Sequence, residues 1–246
     1  MNTILNLNKV KKNFVINGKK ETVLDINLNV NKGEFVTILG PSGCGKTTLI
    51  NLIAGFIKPD EGRVTFYDRK ISGPHPDRNV VFQEYAVFPW RTVLENVKLG
   101  LESKNITKDE QESLAKKYLR LVGLEDVANM YPFELSGGMK QRVAIARTLA
   151  TDPKILLMDE PFGSLDAQRR EILQDELLKI YEKTKKTVIF VTHNIEESIY
   201  LGKRLIVLKP GKNSIKLDIS INLPKSRDRT SERFRKIEKK VRQYLT

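Results

Sequence analysis

The run Gly40-Pro41-Ser42-Gly43-Cys44-Gly45-Lys46-Thr47 has the spacing G-x-x-x-x-G-K-S/T in full. The chemistry of phosphate binding asks for these residue types. Glycines reach positive φ and add no side chain, so backbone N–H groups can curl around an anion. A helix starting at the lysine points its partial positive end at the same place. Lys46 adds a full charge for the β- and γ-phosphates, and Thr47 offers a hydroxyl to Mg²⁺. Thr48, next in line, joins the expected nucleotide-binding set of residues 40–48. Cys44 lies inside the loop, where small-residue packing is its simplest role, although anion-binding N–H groups can lower a thiol pKa.

Three further stretches carry chemistry. Ile155-Leu-Leu-Met-Asp159-Glu160 is an apolar run ending in two carboxylates. Asp159 is placed to hold Mg²⁺ at a strand end, and Glu160 to orient or deprotonate an attacking water. Ser136-Gly137-Gly138 opens a segment of helical spacing, so Ser136 can cap that helix while the glycine N–H groups face an anion. One chain would thus carry two phosphate-binding helix ends. His193, one of only two histidines, follows the apolar run Thr187–Thr192, at the strand end where ligand residues collect in α/β folds. His193 with Glu196 alone makes too small a set for a metal site.

These residues need buried parallel strands with helices between them. Phe35–Gly40, Lys154–Asp159, Thr187–Thr192 and Arg204–Lys209 read as short buried strands, separated by segments of helical period. That alternation predicts an α/β fold with a largely parallel sheet. The first third reads as strands, including Val64–Tyr67 after a Pro59–Gly62 turn, while residues 92–150 change to helical spacing. Residues 230–245 are expected to form a basic helix.

Composition limits the classes open to the chain. Its 246 residues are 40% hydrophobic, enough for one large domain or a domain with a subdomain. No stretch of about 18 apolar residues suggests a membrane span. The start has no apolar run of the signal-peptide kind, and a single cysteine excludes an internal disulfide, as suits a cytosolic protein. The formal net charge is +13, yet it gathers at the ends: residues 1–20 hold five lysines and no acids, residues 225–246 nine cations and three acids. Such ends can meet anionic lipid or RNA, or simply form a solvated face.

Leu135-Ser-Gly-Gly-Met-Lys-Gln-Arg142 resembles the signature motif of ABC ATPases, with Met139 where many members have glutamine. The resemblance covers roughly residues 3–220. It implies a P-loop NTPase of ABC ATPase type: a mostly parallel core sheet, an antiparallel β subdomain and an α-helical subdomain near 88–150. The expected division is an ATPase domain over 1–225 and a basic helix or tail over 226–246. By resemblance, Gln83 is the glutamine-loop residue that senses Mg²⁺, Ser164-Leu165-Asp166 the loop facing the opposite subunit, and His193 the switch histidine on the γ-phosphate. Phe14 resembles the aromatic residue that stacks on adenine, often tyrosine in the family; a core phenylalanine is the plainer alternative. The family works as a homodimer, with two ATP molecules sandwiched between the phosphate loop of one chain and Ser136–Gly138 of the other.

A closer likeness lies in Pro76–Arg91, Ser136–Arg147 and Met158–Gln168, which together look like ATPases of nitrate, sulfonate and taurine importers. That implies transmembrane permease partners, an extracytoplasmic solute-binding protein met indirectly, and a peripheral location on the cytoplasmic side of the membrane. Trp90 is then expected to pack under the permease or within the helical subdomain. Nucleic acid is not expected as a partner. The alternatives are a soluble ABC ATPase acting on nucleic acid or ribosomes, and an exporter ATPase. About 25 residues follow the end of the resemblance near residue 220, too few for the regulatory domain of some importer ATPases.

Overall fold

The computed structural model describes residues 3–82, 86–102, 104–163, 165–224 and 226–245. Gln83 and Ser164 lie outside them. The chain divides into two compact units, one of Met1–His75, Leu157–Glu160 and Lys186–Thr246, the other of Pro76–Leu156 and Pro161–Lys185.

The first unit holds two sheets. Strands β1 (Thr3–Ile16) and β2 (Lys19–Asn31) form an antiparallel hairpin. It turns at Asn17-Gly18, both at positive φ (50° and 75°), the backbone that matches strand twist in a two-residue hairpin. On β2, Leu24, Ile26, Leu28 and Val30 alternate inward, the period of a sheet with one buried face. Strands β4 (Glu61–Phe66) and β5 (Arg69–Lys70) complete an antiparallel sheet of order β2-β1-β4-β5.

The second sheet is the core. Strand β3 (Phe35–Leu39) pairs in parallel with β8 (Thr187–Thr192) on one side and β9 (Arg204–Leu208) on the other. Every residue of β3 and β8 is buried, as expected for strands covered on both faces. Strand β7 (Ile155–Asp159) lies beyond β8. An antiparallel strand, β10 (Ile215–Ser220), closes the other edge. Helices α1 (Lys46–Ala54) and α6 (Ile195–Leu201) follow β3 and β8. The basic tail forms helix α7 (Glu232–Arg242), whose Phe234 and Val241 pack with Ile199, Leu205, Val207 and Leu217. Its cations face outward, so α7 is an amphipathic cover on the core.

Among the described residues, the second unit carries strand β6 (Arg78–Val81), the first residues of β7, and the α-helices α2 (Val93–Leu99), α3 (Lys108–Leu121), α4 (Gly137–Ala150) and α5 (Ala167–Thr184). Thr92 with Glu95 and Thr107 with Glu110 form capping boxes at α2 and α3, which satisfy orphan N–H groups reciprocally. Buried Asn96 ties the approach to α2: its Nδ2 donates to the carbonyls of Phe88, Arg91 and Thr92, and its Oδ1 accepts from Phe88 N at 2.8 Å. The architecture is thus α/β, with a mostly parallel core sheet, an antiparallel β sheet and a helical region.

Candidate active site

The phosphate loop leaves the buried end of β3 at Gly40. A Cβ there would stand 2.5 Å from Cys44 Sγ and 2.6 Å from the Leu208 carbonyl oxygen, so only glycine lets the loop fold back on the sheet. Gly43 and Gly45 have φ of 78° and 97°, a region that other residues enter only at a cost. Gly45 is the N-cap of α1 and gives no side-chain cap. The first N–H groups of a helix have no partner within it, so this end offers donors outward to an anion. Pro41 and Ser42 form the loop's rim, while Thr47 and Thr48 lie in the first turn of α1.

Lys46 opens α1 and is only 5% exposed. Its Nζ donates to the Gly40 carbonyl at 2.9 Å and the Pro41 carbonyl at 3.0 Å, and lies 3.3 Å from Glu160 Oε1. An ammonium has three donors, and these three acceptors occupy them. The site therefore holds its main cation inside the loop that would bind phosphate.

Cys44 is buried. Burial pushes its thiol pKa up, outweighing the opposing pull of Lys46 and nearby N–H groups. The expectation that loop N–H groups would lower it is corrected: desolvation of a thiolate in this packed loop wins.

Two carboxylates end β7. Asp159 accepts a hydrogen bond from the Thr47 side chain, and burial nonetheless raises its pKa. Its Oδ1 is buried without a hydrogen-bond partner. A lone buried carboxylate oxygen beside a hydroxyl is a donor set suited to a hard divalent cation such as Mg²⁺. Among the described residues, no group of three or more His, Cys, Asp or Glu side chains forms a metal cage. Glu160 has φ of 46°, a strained value for a non-glycine residue. Its backbone N–H donates to the Val191 carbonyl at 3.0 Å, extending the β7–β8 pairing to the strand ends. That ladder brings Glu160 beside His193.

His193 Nδ1 is 2.8 Å from Glu160 Oε2. With Glu160 ionised, Nδ1 must be the protonated nitrogen. The Glu160 carboxylate thus bridges Lys46 and His193, one oxygen to each. The His193 side chain is more than half exposed, whereas Lys46 is closed in. His193 pairs with Glu160 rather than with Glu196, which lies in the first turn of α6.

Phe14 pairs with Glu21 across the hairpin. Two residues on, the Val23 carbonyl stands 3.1 Å from where a Gly45 Cβ would be. The Phe14 ring is 40% exposed, with Lys12 Nζ 5.7 Å from its centroid. The alternative of a core phenylalanine fails, since one face of the ring meets solvent.

In the second unit, Ser136 caps α4: its Oγ accepts from Met139 N at 3.3 Å, with Gly137 and Gly138 in the first turn. Asp166 caps α5 by accepting from Arg169 N at 3.0 Å. Trp90 is 70% exposed and packs edge-on against Phe88 at 5.4 Å, so it is not subdomain core. No signal in the sequence pointed to Thr192 and Glu197, whose side chains flank His193 through a buried hydrogen bond.

With this geometry in place, comparison with known proteins is direct. Residues 23–163 match the ABC transporter family. An uncharacterized ABC transporter ATP-binding protein of Methanocaldococcus jannaschii is 53% identical over 98% of this chain and 91% of its own length. The nitrate import ATP-binding protein of a Synechocystis species is 43% identical, covering 92% and 86%. The taurine import ATP-binding protein of Yersinia pestis is 46% identical, covering 82% and 80%. Among solved structures, a dimeric ATP-binding cassette in a post-hydrolysis state with ADP and Pi superposes with a TM-score of 0.76 at 35% identity, covering 90% of this chain and 100% of that one.

Proposed function

The chain belongs to the ABC transporter family, and from that premise we propose that its ATP hydrolysis powers uptake of a small solute of the nitrate, sulfonate or taurine kind through a separate permease. The observation that carries the hydrolytic mechanism is the Glu160 carboxylate held between Lys46 and His193 at the open end of α1. Likeness to nitrate and taurine import subunits across most of the chain supports the solute class.

The β- and γ-phosphates of ATP compete with the Gly40 and Pro41 carbonyls and with Glu160 for Lys46. A phosphate binds an ammonium more strongly than a neutral carbonyl does, so nucleotide draws Lys46 forward and releases Glu160 Oε1. That oxygen then accepts a proton from, or orients, the attacking water. His193 keeps Glu160 aligned through Nδ1–H, and in its imidazolium form, where both nitrogens donate, would also give a hydrogen bond from Nε2 to the γ-phosphate. Thr47 and Asp159 would hold Mg²⁺, with Gln83 as a further ligand. Held by those residues, the ion would supply charge neutralisation for the phosphates. Phe14 stacks on adenine, and the residues from Gly40 to Thr48 wrap the phosphates.

The second helix end, at Ser136–Gly138, completes the site of a partner chain, with Ser164–Asp166 of the intervening loop facing the same partner. The working unit is a homodimer docked peripherally on the cytoplasmic side of its permease, fed by an extracytoplasmic solute-binding protein. The importer reading is tested by deleting the gene and measuring uptake of labelled nitrate, taurine and an alkanesulfonate. Loss of one of these, restored by the wild-type gene but not by Glu160→Gln, is the expected result. Unchanged uptake of all three overturns this solute class.

A further inference from the structure

A closed set of side-chain bonds surrounds His193. Thr192, at the buried end of β8, donates its hydroxyl hydrogen to Glu197 Oε2 and accepts from the Asn194 N–H at 3.0 Å. Asn194 caps α6, its Oδ1 accepting from Glu197 N at 3.0 Å. The loop of bonds therefore runs from residue 192 to residue 197 and fixes the backbone on both sides of His193. Two of its three members are deep in the protein, Glu197 at 4% exposed and Thr192 at 2%, while Asn194 is half-buried.

A carboxylate at that depth costs several kcal/mol unless its bonds compensate. The helix cap itself needs only Asn194, and the apolar face of α6 is buried through Ile199 and Leu201. Among its contacts, the Glu197 side chain holds the Thr192 hydroxyl, which no apolar residue in its place would do. The far end of α6 is held by backbone acceptors. Arg227 Nη1 donates to the carbonyls of Ile199 at 3.3 Å, Tyr200 at 2.5 Å and Gly202 at 2.9 Å. With α6 anchored there, a change at Glu197 is felt at the His193 end.

We propose that Glu197 is a positioning residue for ATP hydrolysis: through Thr192 and Asn194 it holds the backbone of His193 so that Nδ1 meets Glu160. The proposal rests on the catalytic reading of Glu160 and His193 above. Only the bond between the Glu197 oxygen and the Thr192 hydroxyl is required, so the amide oxygen of Glu197→Gln can replace it. Glu197→Ala removes it. A misplacement of about 1 Å at a reacting group costs on the order of a hundredfold in rate. Glu197→Ala is therefore expected to lower kcat by roughly ten- to a hundredfold with KM for ATP nearly unchanged. Glu197→Gln should restore most of that loss.

The full-length protein is studied in two ways. The first is imidazole NMR, since the chain has only two histidines and His75 serves as an internal reference. In Glu197→Ala, the His193 nitrogen signals should move to the position they take in Glu160→Ala, while those of His75 stay. The second is ATPase kinetics in the His193→Ala background, where adding Glu197→Ala should cause no further loss. Unmoved His193 signals, or an equal loss in both backgrounds, would overturn the proposal and leave Glu197 as a stabilising residue only. A His193→Ala protein with the full rate would sink the catalytic reading instead, and the NMR comparison still judges the positioning. Should Glu197→Ala not fold, Thr192→Val removes the same hydroxyl at nearly the same shape and must give the same two results.

Discussion

The starts of α1 and α4 are both glycine-rich helix ends, yet they are built differently. At α1 the N-cap is Gly45, without a side-chain cap, and the buried Lys46 meets the Glu160 carboxylate from the end of β7 at 3.3 Å. At α4 the Ser136 hydroxyl accepts from Met139 N, and the first turn carries no acidic residue. The first end brings together a buried cation and a carboxylate at an uncapped helix N-terminus. The second offers only its N–H groups and the helix dipole. A helix end alone contributes about 0.3–1 kcal/mol toward an anion at an exposed site. On that scale the α1 end is the stronger anion site of the two, which fits the proposal that α1 binds the nucleotide and α4 completes the site of another chain.

The largest expected effect separates the two ends most cleanly. Lys46→Ala removes the buried ammonium proposed to meet the phosphates and should lower ATPase activity by at least about a hundredfold. Steady-state phosphate release measures it, and circular dichroism should show the fold intact. A rate near that of wild type would mean that α1 is no more specialised than α4. A smaller effect is expected at α4. Ser136→Ala removes the cap and should cost about 1 kcal/mol of stability, read by urea denaturation. ATP binding by the monomer should stay unchanged, since the α1 end is untouched. Weaker nucleotide binding in that monomer would break the division of labour.

The smallest effect concerns Asp159 and has a definite sign with pH. Burial raises its folded-state pKa above the unfolded value. The charged form is thus the costly one, and stability is lost as pH rises from the unfolded pKa through the folded one. Asp159→Asn should therefore raise the melting temperature of the nucleotide-free protein at pH 7 and leave it unchanged below the ordinary carboxylate range. Thermal scans at pH 3 and pH 7, in EDTA, check this. A variant that is less stable at pH 7 would contradict the burial argument.

Legibility in the sequence follows how local each signal is. The phosphate loop, the Asp159-Glu160 pair and the Ser136 cap are each written within a few residues, because a turn, a strand end or a cap needs particular types at fixed spacing. The core strands were equally plain, since β3 and β8 are buried on both faces and read as unbroken apolar runs. Strand β10 was missed: Ile215, Leu217 and Ile219 do alternate, but the sheet edge leaves only Leu217 well buried. The hold of Arg227 on the end of α6 was also missed, because its three carbonyl partners lie 25 to 28 residues away with no local mark. The Lys46–Glu160–His193 contact joins three separate motifs. Each motif was visible, but only the β7–β8 pairing shows that one carboxylate serves two partners. The packing role read for Cys44 holds, since its side chain is buried; only the direction of its pKa was not legible, because the sequence shows the N–H donors near the sulfur but not how completely the loop closes over it.

The central claim is that two unlike helix ends, one from each chain, make one ATP site. Glu160→Gln removes the proposed base while Lys46 and the loop remain, so ATP should bind and persist. Size-exclusion chromatography with light scattering on that variant, with and without millimolar ATP, tests the claim most directly. The account predicts a shift from monomer to dimer on adding ATP, reversed when Ser136 is also changed to tryptophan to block the α4 end. A Glu160→Gln protein that stays monomeric with ATP bound, or a dimer indifferent to Ser136→Trp, would contradict it.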